Sequence, residues 1–171
     1  PAAHSPSSVS PRGAARRDHV PPKTPLRPTL ILTMRSQDMA AFKTRMEKGV
    51  AVTTAPDLRW KRCDIKTVQL LPNLLAKQAA KAKGAYEAWL VDDDGYVTEG
   101  GSTNAWIVDQ AGNVVTRDLS NAILPGVTRR IILDAIRDAG MEVAERKFTV
   151  GEAQKAREAF LSSATGAAVP V

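Results

Sequence analysis

Between residues 71 and 82 the chain places Leu71, Leu74, Leu75, Ala79 and Ala82 at helical spacing, and short β-branched runs stand on either side. Pro72 falls in the first turn, where a missing N–H does no harm, and Gly84 follows the last turn as a stop. Residues 29–34 and 49–54 read as strands before this helix, and residues 57–62 as a third, half-exposed one. After it, residues 86–91 and 96–99 read as a hairpin about Asp92-Asp93-Asp94-Gly95, and residues 104–108 and 113–116 as a second about Asp109-Gln110-Ala111-Gly112. Val127, Ile131, Ile132, Ala135 and Ile136 form the stripe of a second helix that Gly140 ends. Residues 141–147 read as a strand, Thr149 and Glu152 as a capping box opening a short helix, and residues 158–162 and 167–171 as closing strands. Such interleaving predicts an α/β chain with a mixed, barrel-like sheet on which each helix lays its apolar face. Residues 1–28, rich in proline and serine without apolar periodicity, read as an irregular leader or interdomain segment, which leaves residues 29–171 as the folded domain.

The net charge of +6 suits a protein that handles anions, and by itself would also suit a nucleic-acid binder. Two histidines, three phenylalanines and two tyrosines make no aromatic-basic ladder, so the nucleic-acid reading starts low. No histidine or cysteine stands at metal-ligand spacing, and the three aspartates at 92–94 lack the distal glutamate of a calcium loop, so no metal is expected. The single cysteine, Cys63, cannot form an internal disulfide and reads as a packing residue in a reducing compartment. No apolar run is long enough to cross a bilayer, and the protein is expected to be cytoplasmic.

Three groups in this pattern carry chemistry. Lys66 stands in a short loop before the first of these helices, where an amine able to lose its proton can form an imine with an aldehyde and afterwards carry a proton. Glu99 closes a strand in the setting Val-Thr-Glu-Gly and can hold a ring nitrogen protonated. Leu124-Pro125-Gly126-Val127-Thr128-Arg129 offers a turn, a glycine and a hydroxyl as a helix begins, and Ser162-Ser163-Ala164-Thr165-Gly166 offers small residues whose amides can approach an anion. An amine, a carboxylate and a phosphate cradle are the requirements of pyridoxal 5′-phosphate (PLP).

The block from Arg59 to Val171 resembles the large C-terminal domain of the class IV (fold type IV) PLP-dependent aminotransferases. The matching segments are Arg59-Trp60-Lys61-Arg62-Cys63-Asp64-Ile65-Lys66, the Leu-Leu-Pro-Asn-Leu-Leu-Ala-Lys-Gln helix, Lys83-Gly84-Ala85-Tyr86-Glu87-Ala88, Thr98-Glu99-Gly100, Gly126-Val127-Thr128-Arg129 and Ala168-Val169-Pro170-Val171. Within that family the Cys-Asp-Ile-Lys context and the segment from Arg12 to His19 resemble the D-amino acid (D-alanine) aminotransferases.

The resemblance implies Lys66 as the catalytic lysine, with Glu99 at the pyridine nitrogen. It implies Arg59 near the cofactor phosphate, with Val127, Thr128, Ser163, Ala164 and Thr165 around it. Ala164 stands where several relatives have threonine, and Thr165 follows it. Arg17 and His19 are implied to bind the substrate carboxylate, reaching across a homodimer into the neighbouring site, and guanidinium is suited to a two-point grip on a carboxylate. The expected substrates are small amino acids and 2-oxo acids: D-alanine and 2-oxoglutarate giving pyruvate and D-glutamate, with no nucleic acid or membrane partner. A branched-chain aminotransferase or an aminodeoxychorismate lyase would share Lys66 and Glu99, and an inactive remnant is the third alternative. Relatives also carry a smaller N-terminal domain, with a phosphate-binding arginine and a substrate-site aromatic, and structure beyond the end of this match, so the chain is expected to be a fragment.

Overall fold

The computed structural model describes residues 3–11, 13–16 and 18–171. It divides into two compact units, one up to Phe42 and the other from Lys43 to Val171. In the first, β1 (Ala3–Val9) pairs antiparallel with β2 (Ile31–Gln37), from Ala3 opposite Gln37 to Val9 opposite Ile31. A strand at 3–9 corrects the expectation that residues 1–28 are irregular throughout. Paired backbone, not side-chain periodicity, makes this strand, so composition does not announce it. The division falls inside α1 (Met39–Lys48), a helix whose third N–H donates to Asp38 Oδ1 at 3.0 Å; sequence periodicity had not marked it.

The second unit holds β3 (Val52–Pro56), α2 (Leu71–Ala82), β4 (Glu87–Val91) and β5 (Val97–Gly100), followed by β6 (Asn104–Val108) and β7 (Val114–Thr116). After these come α3 (Val127–Asp138), β8 (Val143–Glu145), α4 (Val150–Lys155), β9 (Glu158–Ser163) and β10 (Ala167–Pro170). Strands β3, β4 and β5 form one sheet in that order, β3 parallel to β4 and β4 antiparallel to β5. The other five form a sheet ordered β10-β9-β6-β7-β8, antiparallel except for β7 beside β8. Helix α2 is therefore the crossover that any parallel β3–β4 pair requires.

Trp89 and Val97 of the first sheet and Ala105, Ile107, Val115 and Leu161 of the second share a core with Phe148. On the opposite face of the second sheet Trp106 and Val114 pack with Leu133 of α3. Residues 105, 106 and 107 alternate between these two cores, so β6 is buried on both sides, as its unbroken apolar run requires.

Both helices turn differently from the expected stripes. Leu71, Leu74 and Leu75 are exposed, and α2 meets the sheet through Ala76 and Ala80, which pack on Ala88 and Leu90. Small side chains let the helix axis come close to the strands, so the alanines, not the larger leucines, face inward. In α3, Val127, Ile131 and Ala135 are exposed, while Ile132, Leu133 and Ile136 face the sheet. Residues 57–62 are not a strand: after Asp57 N–H donates to Val91 O at 2.8 Å the chain leaves the sheet edge in bends. The capping box on α4 is formed, with Glu152 N–H donating to Thr149 Oγ1 at 3.1 Å and Thr149 N–H to Glu152 Oε2 at 2.8 Å. Among the described residues no helix is long and apolar enough to cross a membrane.

Candidate active site

A cavity of about 690 Å³ opens in the second unit. Lys66 lines it from the loop between β3 and α2, on which its side chain is exposed. That loop is held across the site by Cys63 N–H, which donates to Asn121 O at 2.8 Å. The Cys63 thiol donates to Trp60 O at 3.0 Å, and burial pushes its pKa up, which fits a packing role.

Glu99 enters from β5 and is almost fully buried. Its Oε2 accepts from Asn104 Nδ2 at 2.9 Å, both oxygens accept from Leu124 N–H at 3.1 and 3.2 Å, and Oε1 accepts from Arg59 Nη1. Burial disfavours the ion more strongly than these donors favour it, so its pKa is pushed up to about 7. Asn104 Nδ2 also donates to Leu124 O at 3.0 Å and thereby joins β6 to the turn before α3. Gly126 caps α3 in extended conformation, and a Cβ there would stand 2.4 Å from Asn104 Oδ1, so only glycine allows this approach.

Arg59 is the largest departure from expectation. It is not an exposed strand charge: its side chain is only 7 % accessible, folded back on its own neighbourhood. Nε donates to Asp57 Oδ1 at 2.9 Å, and Nη2 donates to Asp57 Oδ2 at 2.7 Å and to Ala122 O at 2.9 Å, leaving Nη1 for Glu99. Burial works against a charged guanidinium, but the Asp57 and Glu99 carboxylates together outweigh it and hold the Arg59 pKa above its ordinary value. Its hydrogen bonds make Arg59 a partner of Glu99, while the resemblance had implied a place near the cofactor phosphate.

The two turns proposed as an anion cradle, 127–128 and 163–165, line the same cavity as Lys66, Arg59 and Glu99. The first opens α3, whose leading N–H groups have no intrahelical acceptor. The second joins β9 to β10; Gly166 N–H donates to Ser163 Oγ at 3.0 Å, and Ala167 closes the turn in the left-handed region at φ 47°. Thus the residues expected to hold the cofactor are drawn together from four separated segments of the sequence. His19 lies in the other unit with an exposed side chain, its own N–H donating to Asp18 Oδ1 at 2.6 Å, and Arg17 lies outside the described residues.

The sequence profile of the amino-transferase class IV family matches residues 8–171. The chain belongs to the class IV aminotransferases. It is 38% identical over 160 residues to a D-alanine aminotransferase of Staphylococcus epidermidis, a match covering 94% of this chain and 55% of that protein. Among solved structures, a putative 4-amino-4-deoxychorismate lyase from Legionella pneumophila superposes with a TM-score of 0.83 at 22% identity, covering 97% of this chain and 60% of that one. A hypothetical aminotransferase from Mycobacterium tuberculosis, in a PLP-bound form, superposes with a TM-score of 0.82 at 20% identity, covering 98% and 59%. The chain thus spans about half the length of the curated relatives it matches.

In this class IV chain the residues present fit the family's cofactor: an amine, a buried carboxylate and two donor-bearing turns share one cavity. Asp57, Thr98 and Asn104 are the site residues that sequence reasoning did not single out. A signal existed for Asp57, since aspartate two positions before an arginine can accept that residue's own N–H, as it does here at 3.2 Å. For Asn104 the five-residue spacing from Glu99 across two glycines was the available sign.

Proposed function

We propose that this chain supplies the PLP-binding domain of a D-amino acid aminotransferase that moves an amino group between D-alanine and 2-oxoglutarate, giving pyruvate and D-glutamate. The observation that carries the cofactor site is Lys66 and Glu99 lining one cavity with the turns at 127–128 and 163–165, and the 38% identity to a D-alanine aminotransferase supports the substrate pair. When bound, PLP supplies an electron sink that makes a substrate Cα–H acidic.

The chain's own residues supply the rest. Lys66 would hold the cofactor through its amine and would carry the substrate α-proton. Glu99, held by Asn104 Nδ2, Leu124 N–H and Arg59, would keep the cofactor's ring nitrogen protonated. Val127 and Thr128 at the α3 N-terminus and Ser163, Ala164 and Thr165 in the β9–β10 turn receive the phosphate. Arg17 and His19 grip the substrate carboxylate across a homodimer. A cytoplasmic location belongs to the same reading.

Incubation of the chain with PLP, borohydride reduction and peptide mapping tests the site. Label is expected on Lys66 and is expected to be lost in Lys66→Ala; label on another lysine, or none, ends the reading. In the whole protein, pyruvate formed from D-alanine separates this proposal from a branched-chain enzyme, which would use L-leucine, and from a lyase, which would form 4-aminobenzoate.

A further inference from the structure

Asp57 belongs to no expected site, yet it governs how Arg59 meets Glu99. Its backbone is fixed where β3 ends, by the N–H bond to Val91 O, and its carboxylate is 11 % accessible. Thr98 Oγ1 donates to Asp57 Oδ2 at 2.7 Å from β5, across the sheet. Against this anchored carboxylate Arg59 lies side-on, Nε on Oδ1 and Nη2 on Oδ2, with Ala122 O and Thr98 Oγ1 also accepting from Nη2, at 2.9 and 3.3 Å. One edge of the guanidinium is therefore taken. Only Nη1 reaches Glu99, and only through Oε1.

The alternative pairing shows what this prevents. A free arginine binds a carboxylate through two parallel N–H bonds, which would neutralise Glu99 in a closed ion pair. With Asp57 on its edge, the buried set contains one guanidinium and two carboxyl groups, so an ionised Glu99 leaves one uncompensated negative charge on the cavity wall.

We propose that Asp57 is a positioning residue that keeps Arg59 from neutralising Glu99, so that the Glu99 carboxyl retains its affinity for a proton or for a protonated ring nitrogen in the cavity. The second half rests on the proposed role of Glu99, while the first half concerns this chain alone. The other titratable groups lining the cavity are Cys63, Asp64 and Lys66, all from the loop after Arg59, and the Glu87–Lys77 pair packs against Gly100 and Gly101. The Asp57 charge adds to the upward push on the Glu99 pKa, in keeping with the geometry.

The test is a carboxyl ¹³C NMR titration of the chain without cofactor, comparing wild type with Asp57→Asn. The Glu99 midpoint, near 7 in wild type, is expected to fall by about one pH unit, a tenfold loss of proton affinity, because Arg59 can then turn both N–H groups onto Glu99. Asp57→Glu, which restores the charge, is expected to return the midpoint toward wild type. A midpoint that stays or rises in Asp57→Asn overturns the proposal. Should that variant fail to fold, Thr98→Val decides: it loosens Asp57 from β5, and an unmoved Glu99 midpoint there overturns the proposal equally. A visible-absorbance pH titration of PLP-loaded wild type and Glu99→Gln separates the two layers. Equal midpoints there remove Glu99 from the ring nitrogen and leave the cofactor-free result standing.

Discussion

Glu87→Gln is expected to destabilise the second unit strongly. Glu87 is fully buried. Its Oε1 accepts from Ala88 N–H at 2.9 Å, and its Oε2 accepts from Lys77 Nζ at 3.1 Å, Ser102 N–H at 3.2 Å and Ser102 Oγ at 2.8 Å. Every one of these groups donates, and a glutamine offers them a single oxygen. Whichever way its amide turns, an N–H faces an N–H. Removing one member of a buried charge pair costs about 3–5 kcal/mol. Lys77 is 34 % accessible and can rehydrate, so the lower end, about 3 kcal/mol, is expected.

With a urea m-value of about 1–3 kcal/mol/M, that is a midpoint lower by about 1–3 M. Trp60, Trp89 and Trp106 all lie in the second unit, so tryptophan fluorescence follows its unfolding alone. Lys77→Met leaves the fully buried Glu87 carboxylate without its counter-charge and should cost at least as much, about 3–5 kcal/mol. A loss below about 1 kcal/mol for either variant would refute the reasoning. The same carboxylate secures Gly100 and Gly101, where a Cβ would stand 3.1 Å from its Cγ or Oε1, and those glycines wall the cavity. PLP labelling of Lys66 should therefore slow in the variant at urea concentrations where it is still folded.

Glu99 binds its proton more tightly folded than unfolded, from an ordinary 4.5 up to about 7, so between those values the folded state carries more protons and stability falls as pH rises, levelling above 7. Asp57, Glu145 and Glu152 are shifted down and act below that window, so urea midpoints from pH 5 to 8 should slope downward in wild type and flatten in Glu99→Gln. Gly126→Ala drives a methyl onto Asn104 Oδ1 and should cost about 1–3 kcal/mol, with weaker Lys66 labelling as Asn104 leaves Glu99; an unchanged Tm would contradict the contact. Phe148→Ala empties a fully buried site against the edge of Trp89 and should cost about 3–5 kcal/mol by the same urea assay.

Elements whose reasons are local were legible before any coordinates. The Asp92–Gly95 and Asp109–Gly112 turns, the Thr149–Glu152 capping box and the termination of α2 at Gly84 each depend on residues within a few positions of one another. Lys66 and Glu99 could be named because their motifs are short and contiguous. The orientation of α2 was not legible, because a stripe of leucines tells which residues can be buried, while the approach of Ala76 and Ala80 to β4 tells which are. Strand β1 and helix α1 lacked a periodic signal, and the expected strand at 57–62 failed because Asp57 folds Arg59 back on itself.

Periodicity and turn residues thus determined the mixed α/β character and most element positions, and contiguous motifs pointed to Lys66 and Glu99 as the candidate amine and carboxylate, since these depend on covalent neighbours. Tertiary structure alone decided that Arg59 serves Glu99, that Asn104 bridges Glu99 to the turn before α3, and that Asp57 belongs to the same buried set. Those contacts join residues five to forty-one positions apart. A buried charge takes as its partner whatever group the packing of two sheets brings within 3 Å, and nothing in its flanking sequence names that group.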